Sequence, residues 1–548
     1  MGGFRAVEDR PTPEEVYNWR LYSEAIIIAT GSLLFGYDSA FVGTTIARES
    51  FQTDFHITKA NSSAISSNIT SIFQAGAFFG ALFCFFCQSI EPEKGITERF
   101  GRKWTLQINV VVFIIGAVMM TAATHQLGLI YAGRVLTGVG CGAITATVPS
   151  YIAELSIPSI RGILTGFFEC AYQIGSVIGF WINFGITENM SAKSSTSWRI
   201  PMGVQLIPAV ILFIGGFFLH ESPLWLMRKE RNEEAYRALE TLRRLPVEHP
   251  YLQQEVQLIQ NRLNEEASVA SKYGLGSWAF FRGAMDEFSR RGMRNRVFLV
   301  FCAFALNNLS GASGSAINYY SPTLFTSIGI KDTALYTGIY GLVKAVASLI
   351  FYIAFVDKIG RRRPVILSSI VCSCCLWYVG AYVKVGNPAA VIAKGGTLSD
   401  STTRGGHAAT AVIMIYAVFW SFGLNGIPWI VSAEIFPGAL RNFSGTWAAL
   451  VQWATQFPMS KCLPYMFNSF GYGTWFFFAG FMVIATVWSY FLLPETKGLT
   501  IDQMDMIFGY NQPGHRGIPH TRITQTQLAA SNAGMPDKPG QTEHFETV

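Results

Sequence analysis

The sequence predicts an all-α integral membrane protein with twelve transmembrane helices in two sets of six. Three observations support this fold class. Half of the 548 residues are hydrophobic and only 14% are charged, a composition that suits lipid rather than water as the solvent. Apolar runs of about 20 residues, the length that spans a bilayer, recur along the chain. Short sequence features also recur at matching places in the two sets.

The apolar runs give the predicted helices and divide the chain. The first set lies at 22–46, 64–88, 104–124, 127–153, 162–186 and 200–219, and the second at 296–326, 333–356, 364–384, 408–433, 443–467 and 473–493. The segment between the sets has the Arg, Glu and Leu content of amphipathic helices at a membrane surface. The predicted parts are an N-terminal segment, a six-helix half, a helical bridge, a second six-helix half and a tail, at 1–21, 22–219, 220–295, 296–493 and 494–548.

Basic residues at the helix ends predict the orientation. They fall in alternate loops and in the bridge, which the positive-inside rule places in the cytoplasm together with both termini. They do not form the single basic face of a nucleic-acid-binding protein. On the opposite side, the Gly-, Ser- and Thr-rich loop 385–407 is expected to lack secondary structure, and the tail from about residue 512 to be disordered.

An internal repeat supports the division into two halves. ERFGRK at 98–103 recurs as DKIGRR at 357–362, each time between the second and third helices of a set. Glu154 precedes Arg161 by seven residues, and Glu434 precedes Arg441 by seven. Repeated halves with a binding site at their interface are typical of secondary transporters.

Six motifs carry a resemblance to a known family: GRVLTG at 133–138, PSYIAELSIPSIRG at 149–162, ESPLWL at 221–226, INYYSP at 317–322, SAEIFPGALR at 432–441 and PETKG at 494–498. With them the chain resembles the sugar porter family of the major facilitator superfamily over about residues 20–500. EDRPTPEEVYNW at 8–19 and GYDSAFVGTTIA at 36–47 are similar to the fungal quinate permeases and their relatives, which include uronic acid carriers. The resemblance implies the superfamily's twelve-helix fold and alternating access, not an enzyme.

Asp38 lies in the first predicted helix and Arg134 in the fourth. Asp38 and Arg134 would cost several kcal/mol at bilayer depth unless paired, so one interpretation is a structural ion pair. Proton-coupled sugar porters have an aspartate and an arginine at these positions. The resemblance therefore implies the other interpretation, in which Asp38 carries a proton.

The charges at the cytoplasmic helix ends also have two interpretations. The resemblance implies that they form salt bridges that lock the two halves on the cytoplasmic side, whereas folding or orientation alone is the alternative. These residues are Glu98, Arg99, Arg102, Glu154, Arg161, Lys358, Arg361, Arg362, Glu434 and Arg441.

Polar side chains in apolar helices are candidate ligands for solute hydroxyls or, alternatively, bonds between helices. The candidates are Gln173, Asn183, Asn318, Asn425, Gln452 and Trp453, with Trp429 as an apolar wall or simple packing. The resemblance implies substrate contact for Gln173, Gln452 and Trp453.

The seventh helix departs from the family pattern of two glutamines before the paired tyrosines. Counting back from Tyr319 and Tyr320 puts Leu309 and Ser310 at the glutamine positions. Asn307 and Asn308 would need a two-residue shift, which turns a side chain by about 200° unless the helix is broken nearby. An ordinary hexose site is therefore not expected.

Lys344, in the middle of the eighth run, is a buried ammonium that requires an anion unless it snorkels to water. The anion is either the carboxylate of a quinate- or uronate-like solute or an internal partner such as Glu169.

These features predict a proton symporter of the plasma membrane for a small carboxylated polyol or sugar acid. The alternatives are a neutral monosaccharide transporter, a passive facilitator and a nutrient sensor. No phosphate-binding loop and no catalytic or metal-ligand spacing stands out, so we expect no cofactor and no metal. The expected partners of this monomer are the solute, a proton and the lipid bilayer.

Overall fold

The computed structural model describes residues 12–89, 96–271, 291–311, 317–330, 332–393, 399–436, 441–497, 504 and 507–508. Their regular secondary structure is helical. The predicted disorder of the tail lies outside the described residues.

Six spanning helices form the first half. The first five are Trp19–Ile46, Ser62–Ser89, Ile96–Thr121, Leu127–Leu155 and Arg161–Asn189, and the sixth has two segments, Thr196–Val204 and Leu206–Phe218. A short helix, Glu49–Asp54, follows the first of them.

Six more spanning helices form the second half. The seventh has two segments, Arg291–Leu309 and Ile317–Ser327, and the eighth, Thr333–Ile350, continues through a π-helical turn at Phe351–Phe355. The ninth is Arg362–Gly386, the tenth has the segments Asp400–Phe422 and Ile427–Ile435, and the last two are Arg441–Phe470 and Gly473–Phe491.

Ten helices of the described residues are long and apolar enough to cross a membrane. The seventh and eleventh are not among them, for reasons visible in their sequences. The seventh is interrupted after Leu309, and the eleventh carries Gln452, Gln456 and Lys461 on a helix packed against the second and fourth. The chain thus has the predicted fold class, an all-α integral membrane protein with twelve transmembrane helices.

Equivalent helices pack in the same way in the two halves. The first packs on the fifth, the second on the fourth and the third on the fourth, as the seventh packs on the eleventh, the eighth on the tenth and the ninth on the tenth. The halves meet where the second helix lies against the eleventh and the fifth against the eighth. Large apolar side chains such as Ile207, Phe218 and Val487 point outward, as expected for a lipid-facing surface.

The described part of the bridge contains three helices, Pro223–Arg228, Asn232–Arg243 and Pro250–Ser271. Trp225, Leu239 and Leu252 form a small apolar core among them. Asn18 Nδ2 donates a hydrogen bond of 2.8 Å to Leu242 O, which connects the bridge to the start of the first helix. We call this side of the molecule the bridge face.

The prediction that 385–407 lacks secondary structure is wrong. Pro388–Ala393 is a helix, and the tenth helix begins at Asp400, eight residues before its predicted start at 408. Ser399 caps that helix by accepting a hydrogen bond from Thr402 N at 3.3 Å, and Asp400 places a negative charge at its positive end. These capping effects outweigh the polar composition.

Candidate functional site

The first helix is held very close to the fifth and seventh helices by two glycines. A Cβ on Gly36 would lie 2.0 Å from Tyr172 O, and a Cβ on Gly43 would lie 1.7 Å from Tyr319 O. Only glycine fits these positions, because any side chain would overlap a backbone carbonyl. Asp38 and Ser39 lie between the two contacts along the first helix, and both side chains are fully buried.

Asp38 and Arg134 form a buried ion pair between the first and fourth helices. Their side chains are 0% and 1% exposed, and Arg134 donates to both carboxylate oxygens, with Nη2 3.3 Å from Oδ2. Arg134 Nε also donates to Ile69 O at 3.0 Å, and the guanidinium lies 4.4 Å from the centre of the Phe73 ring. The contact fits both a structural pair and a proton site.

Lys344 is fully buried on the eighth helix beside the interface between the halves. Its Nζ donates to Asn318 Oδ1 at 3.1 Å and lies 5.5 Å from the Tyr172 ring centre. Asn318 Nδ2 donates to Tyr172 OH at 3.1 Å, and that hydroxyl is 3.3 Å from Ser39 Oγ. A chain of hydrogen bonds thus leads from Lys344 to the neighbour of Asp38.

Glu169 lies one turn before Tyr172 on the fifth helix. Its Oε1 accepts hydrogen bonds from Gln173 Nε2 and Asn425 Nδ2, each with a length of 2.8 Å. Asn425 Nδ2 is also 3.1 Å from Ser348 Oγ. Glu169 and Lys344 interact electrostatically without a direct ion pair among the described contacts. Gln173, Asn318, Lys344 and Asn425 therefore form one polar cluster with Glu169, which we call the interface cluster.

Three predicted residues, Trp429, Gln452 and Trp453, lie on the tenth and eleventh helices. The Trp453 ring packs 5.0 Å from that of Phe35, which in turn packs 4.8 Å from that of Tyr172, and Trp453 Nε1 donates to Thr145 Oγ1 at 3.3 Å. Gln452 Nε2 donates to Gln456 Oε1 at 3.1 Å. The Trp429 ring lies 4.9 Å from that of Phe304, as an apolar wall would.

Asn183 does not lie in the interface cluster. It is ten residues beyond Gln173 on the fifth helix, a rise of about 15 Å. Its Oδ1 accepts from Arg48 Nη2 at 3.2 Å, and its Nδ2 donates to Gly179 O at 3.0 Å.

The break in the seventh helix explains how Asn308 reaches the centre despite its register. The first segment ends at Leu309, and Gly311 has a φ of +86°. Asn308 Nδ2 donates to Gln452 Oε1 at 3.0 Å, while Ser310 Oγ accepts from Trp420 Nε1 at 3.0 Å. Asn308 is not among the residues predicted for the site, although the glycine and serines after it predict such a break.

At the bridge face the described ion pairs lie within each half. Arg102 contacts Glu154 at 3.1 Å, and Arg361 contacts Glu434 at 2.7 Å. Arg362 Nε donates to Ser489 O at 3.4 Å, and Arg161 Nη2 to Ser156 O at 3.5 Å. The salt bridges between the halves that the resemblance implies stay a prediction. The side chains of Glu98, Arg99 and Arg441 lie outside the described residues.

Two further carboxylates, Glu221 and Glu495, complete this duplicated arrangement. Glu221 accepts from the backbone N–H groups of Arg102 and Lys103, at 2.7 and 3.2 Å. Glu495 accepts from those of Arg361 and Arg362, at 2.8 and 3.1 Å. The preceding glycines have φ of +82° and +89°. Burial raises the pKa of Glu221, although these hydrogen bonds oppose the rise. Neither glutamate is among the predicted site residues, but each follows the last helix of a half.

Comparison with known proteins agrees with this architecture. The family model described as "Sugar (and other) transporter" matches residues 24–508. A "Quinate permease" of Emericella nidulans is 41% identical over 546 residues, which cover 98% of each chain. A "Probable quinate permease" of Aspergillus clavatus is 43% identical over 510 residues, 92% of this chain and 90% of the relative.

The fold matches that of solved transporters. The major facilitator superfamily proton:xylose symporter XylE bound to 6-bromo-6-deoxy-D-glucose superimposes with a TM-score of 0.70 at 22% identity, covering 89% of this chain and 99% of that chain. A partially occluded inward-open conformation of the xylose transporter XylE from E. coli gives a TM-score of 0.69 at 22% identity, covering 88% and 99%. From the family match and the relatives, we conclude that the chain belongs to the sugar porter family of the major facilitator superfamily.

Proposed function

We propose that this transporter takes up a small carboxylated polyol or sugar acid, of the quinate or galacturonate type, together with protons. Uptake proceeds by alternating access in the plasma membrane, with both termini in the cytoplasm. The relatives named quinate permease support the substrate class, and the fold shared with a proton:xylose symporter is consistent with proton coupling.

Lys344 is the observation that carries the proposal. Its ammonium is fully buried where the halves meet, and its hydrogen-bond acceptor in the described part of the chain is the neutral amide oxygen of Asn318. A buried ammonium bonded to a neutral acceptor favours an incoming carboxylate, because a charge-assisted hydrogen bond is stronger than a neutral one. A transporter for neutral solutes has no need of this cation.

Buried polar atoms of the fifth, eighth and eleventh helices would bind the hydroxyl groups of the solute. Within the part of the chain that the structure describes, Gln173 Oε1, Gln456 Nε2 and Tyr340 OH are buried without a hydrogen-bond partner. Such atoms are costly unless something satisfies them. In this proposal Asn318, Asn425, Gln452 and Trp453 contribute further contacts, and Trp429 supplies an apolar wall.

Asp38 carries the coupled proton in this proposal, and Arg134 controls its release. The charged clusters at the bridge face form the inner gate: Arg102 with Glu154 and Arg361 with Glu434 brace the helices of their own halves. Glu98, Arg99, Arg161, Arg362 and Arg441 belong to the same proposed gate.

A neutral monosaccharide is the second candidate substrate. The contact between Gln452 and Asn308 favours it, because amides of this kind bind neutral hydroxyl groups well. A passive facilitator, in which the Asp38–Arg134 pair is purely structural, is the alternative to proton coupling.

Uptake of labelled quinate, galacturonate and glucose by yeast cells that lack their own carriers tests the proposal. We expect uptake of at least one acid by the wild type and its loss in Lys344→Ala. Lys461→Ala is a matched control, because Lys461 is also a lysine of a spanning helix but bonds to Asn68.

Two results would contradict the assignment. Uptake of glucose alone would favour the neutral sugar. Equal loss of acid and sugar uptake in Lys344→Ala, with normal surface expression, would show that the lysine is structural.

A further inference from the structure

The interface cluster contains a second acid that the proposed proton site does not use. Glu169 and Lys344 lie on the fifth and eighth helices, one of the helix pairs through which the halves touch. Both described hydrogen bonds of Glu169 end on Oε1. Oε2 can therefore carry a proton without the loss of either bond, because Oε1 remains a hydrogen-bond acceptor in both protonation states.

The central region contains two acids and two bases, so its charges balance. Asp38 contacts Arg134 directly, whereas Glu169 and Lys344 act on each other only at a distance. A solute carboxylate that binds Lys344 adds a negative charge to this region. The positive charge of Lys344 is then neutralised by the solute and no longer balances the charge of Glu169. A buried surplus charge is expensive, so the protonated form of Glu169 becomes favoured.

We propose that Glu169 is a substrate-linked proton site, which takes up one proton when a carboxylated solute binds Lys344. This inference rests on the proposed function, because it needs the solute carboxylate at Lys344. The anion and the proton on Glu169 then cross as a neutral pair. A neutral solute would bind without this proton.

The surroundings of Glu169 point to this assignment. The titratable groups that interact with it are Lys344 and Tyr352 of the eighth helix and Cys170 and Tyr172 of its own. The tenth helix contributes the neutral Asn425, and the first helix contributes Asp38, which Arg134 already neutralises. Tyrosine and cysteine in apolar surroundings are already protonated and neutral near pH 7. Among these groups, Glu169 is therefore the one that takes up a proton when the solute binds Lys344.

Calorimetry on the purified full-length protein in lipid nanodiscs tests the inference. Quinate and galacturonate are titrated between pH 6 and 8 in buffers of different ionisation enthalpy, which gives the number of protons taken up per solute bound. For the wild type we expect uptake that approaches one proton as Glu169 becomes ionised, with a Kd that then rises about tenfold per pH unit.

The isosteric Glu169→Gln variant should bind without proton uptake. Its Kd should not change with pH and should match the wild-type value at low pH. Glu24→Gln is the matched control, since Glu24 is a buried acid of the first helix that pairs with His220 instead. It should keep the wild-type proton uptake.

Each outcome decides the question. Undiminished proton uptake in Glu169→Gln would overturn the inference while leaving acid transport intact. Uptake that disappears in Asp38→Asn but persists in Glu169→Gln would place the proton on Asp38 and also overturn it. Failure of the wild type to bind either acid would instead refute the proposed function, and the inference with it.

Discussion

The Asp38→Asn substitution tests whether the buried ion pair carries protons. Both side chains are almost completely buried, and Arg134 donates to both oxygens of Asp38. The substitution keeps the volume but leaves a buried positive charge that Ile69 O and the Phe73 ring offset only in part. Breaking one partner of a buried pair costs about 3–5 kcal/mol. We expect lower thermal stability and loss of solute accumulation above the external concentration.

A double variant separates the structural role from the coupling role. Replacing both partners of a buried ion pair by apolar residues of similar volume, as in Asp38→Leu with Arg134→Met, is often neutral for stability or even stabilising. The double variant should therefore regain most of the lost stability, yet it should only equilibrate the solute because the proton carrier is still missing. Stability is measured by size-exclusion chromatography after heating, and accumulation with labelled acid with and without a protonophore. Protonophore-sensitive accumulation by either variant would refute the coupling role.

Three further predictions concern packing, the bridge face and pH. Gly36→Ala should abolish folding or transport because its Cβ would overlap Tyr172 O, whereas Gly166→Ala, with nothing within 4 Å of the new Cβ, should behave as wild type in fluorescence size exclusion and uptake. Glu495→Gln should lower stability by about 1.5–3 kcal/mol, since two backbone N–H groups lose a charged acceptor, and unchanged melting would contradict this role. Burial raises the pKa of Asp54, but hydrogen bonds from Ser195 and Trp198 and the charges of His125 and Arg199 hold it below the usual value. Its stabilisation is therefore present above the unfolded-state pKa of about 3.9 and lost as pH falls through the folded-state pKa, so Asp54→Asn should melt lower than wild type at pH 7 and equally in stronger acid.

The helices and the central ion pair were predictable from the sequence, because polar groups are costly to bury in lipid unless they are paired. Apolar runs define helices because unpaired backbone groups are not tolerated in hydrocarbon. The same cost predicted that Asp38 lies near Arg134, which the fold confirms. The fold class was likewise predictable, since two copies of one pattern restrict the packing to equivalent pairs.

Other features depend on exact backbone geometry and are harder to predict from the sequence. Asn308 reaches Gln452 because the seventh helix breaks, which alters the register that an unbroken helix would impose. The role of Glu495 depends on backbone N–H groups, which every residue but proline has and which therefore leave no sequence signal. The early start of the tenth helix at Asp400 results from one serine cap.

Asn318 connects the second segment of the interrupted seventh helix to the eighth helix through its hydrogen bond with Lys344. It belongs to the short segment Ile317–Ser327, whose Tyr319 carbonyl touches Gly43 on the first helix. If a solute carboxylate binds the Lys344 ammonium as proposed, it competes with Asn318 Oδ1, one of the contacts that hold this segment against the eighth helix. The segment is separated from the first part of the seventh helix by the break after Leu309, so this short piece of chain is the first to register the solute.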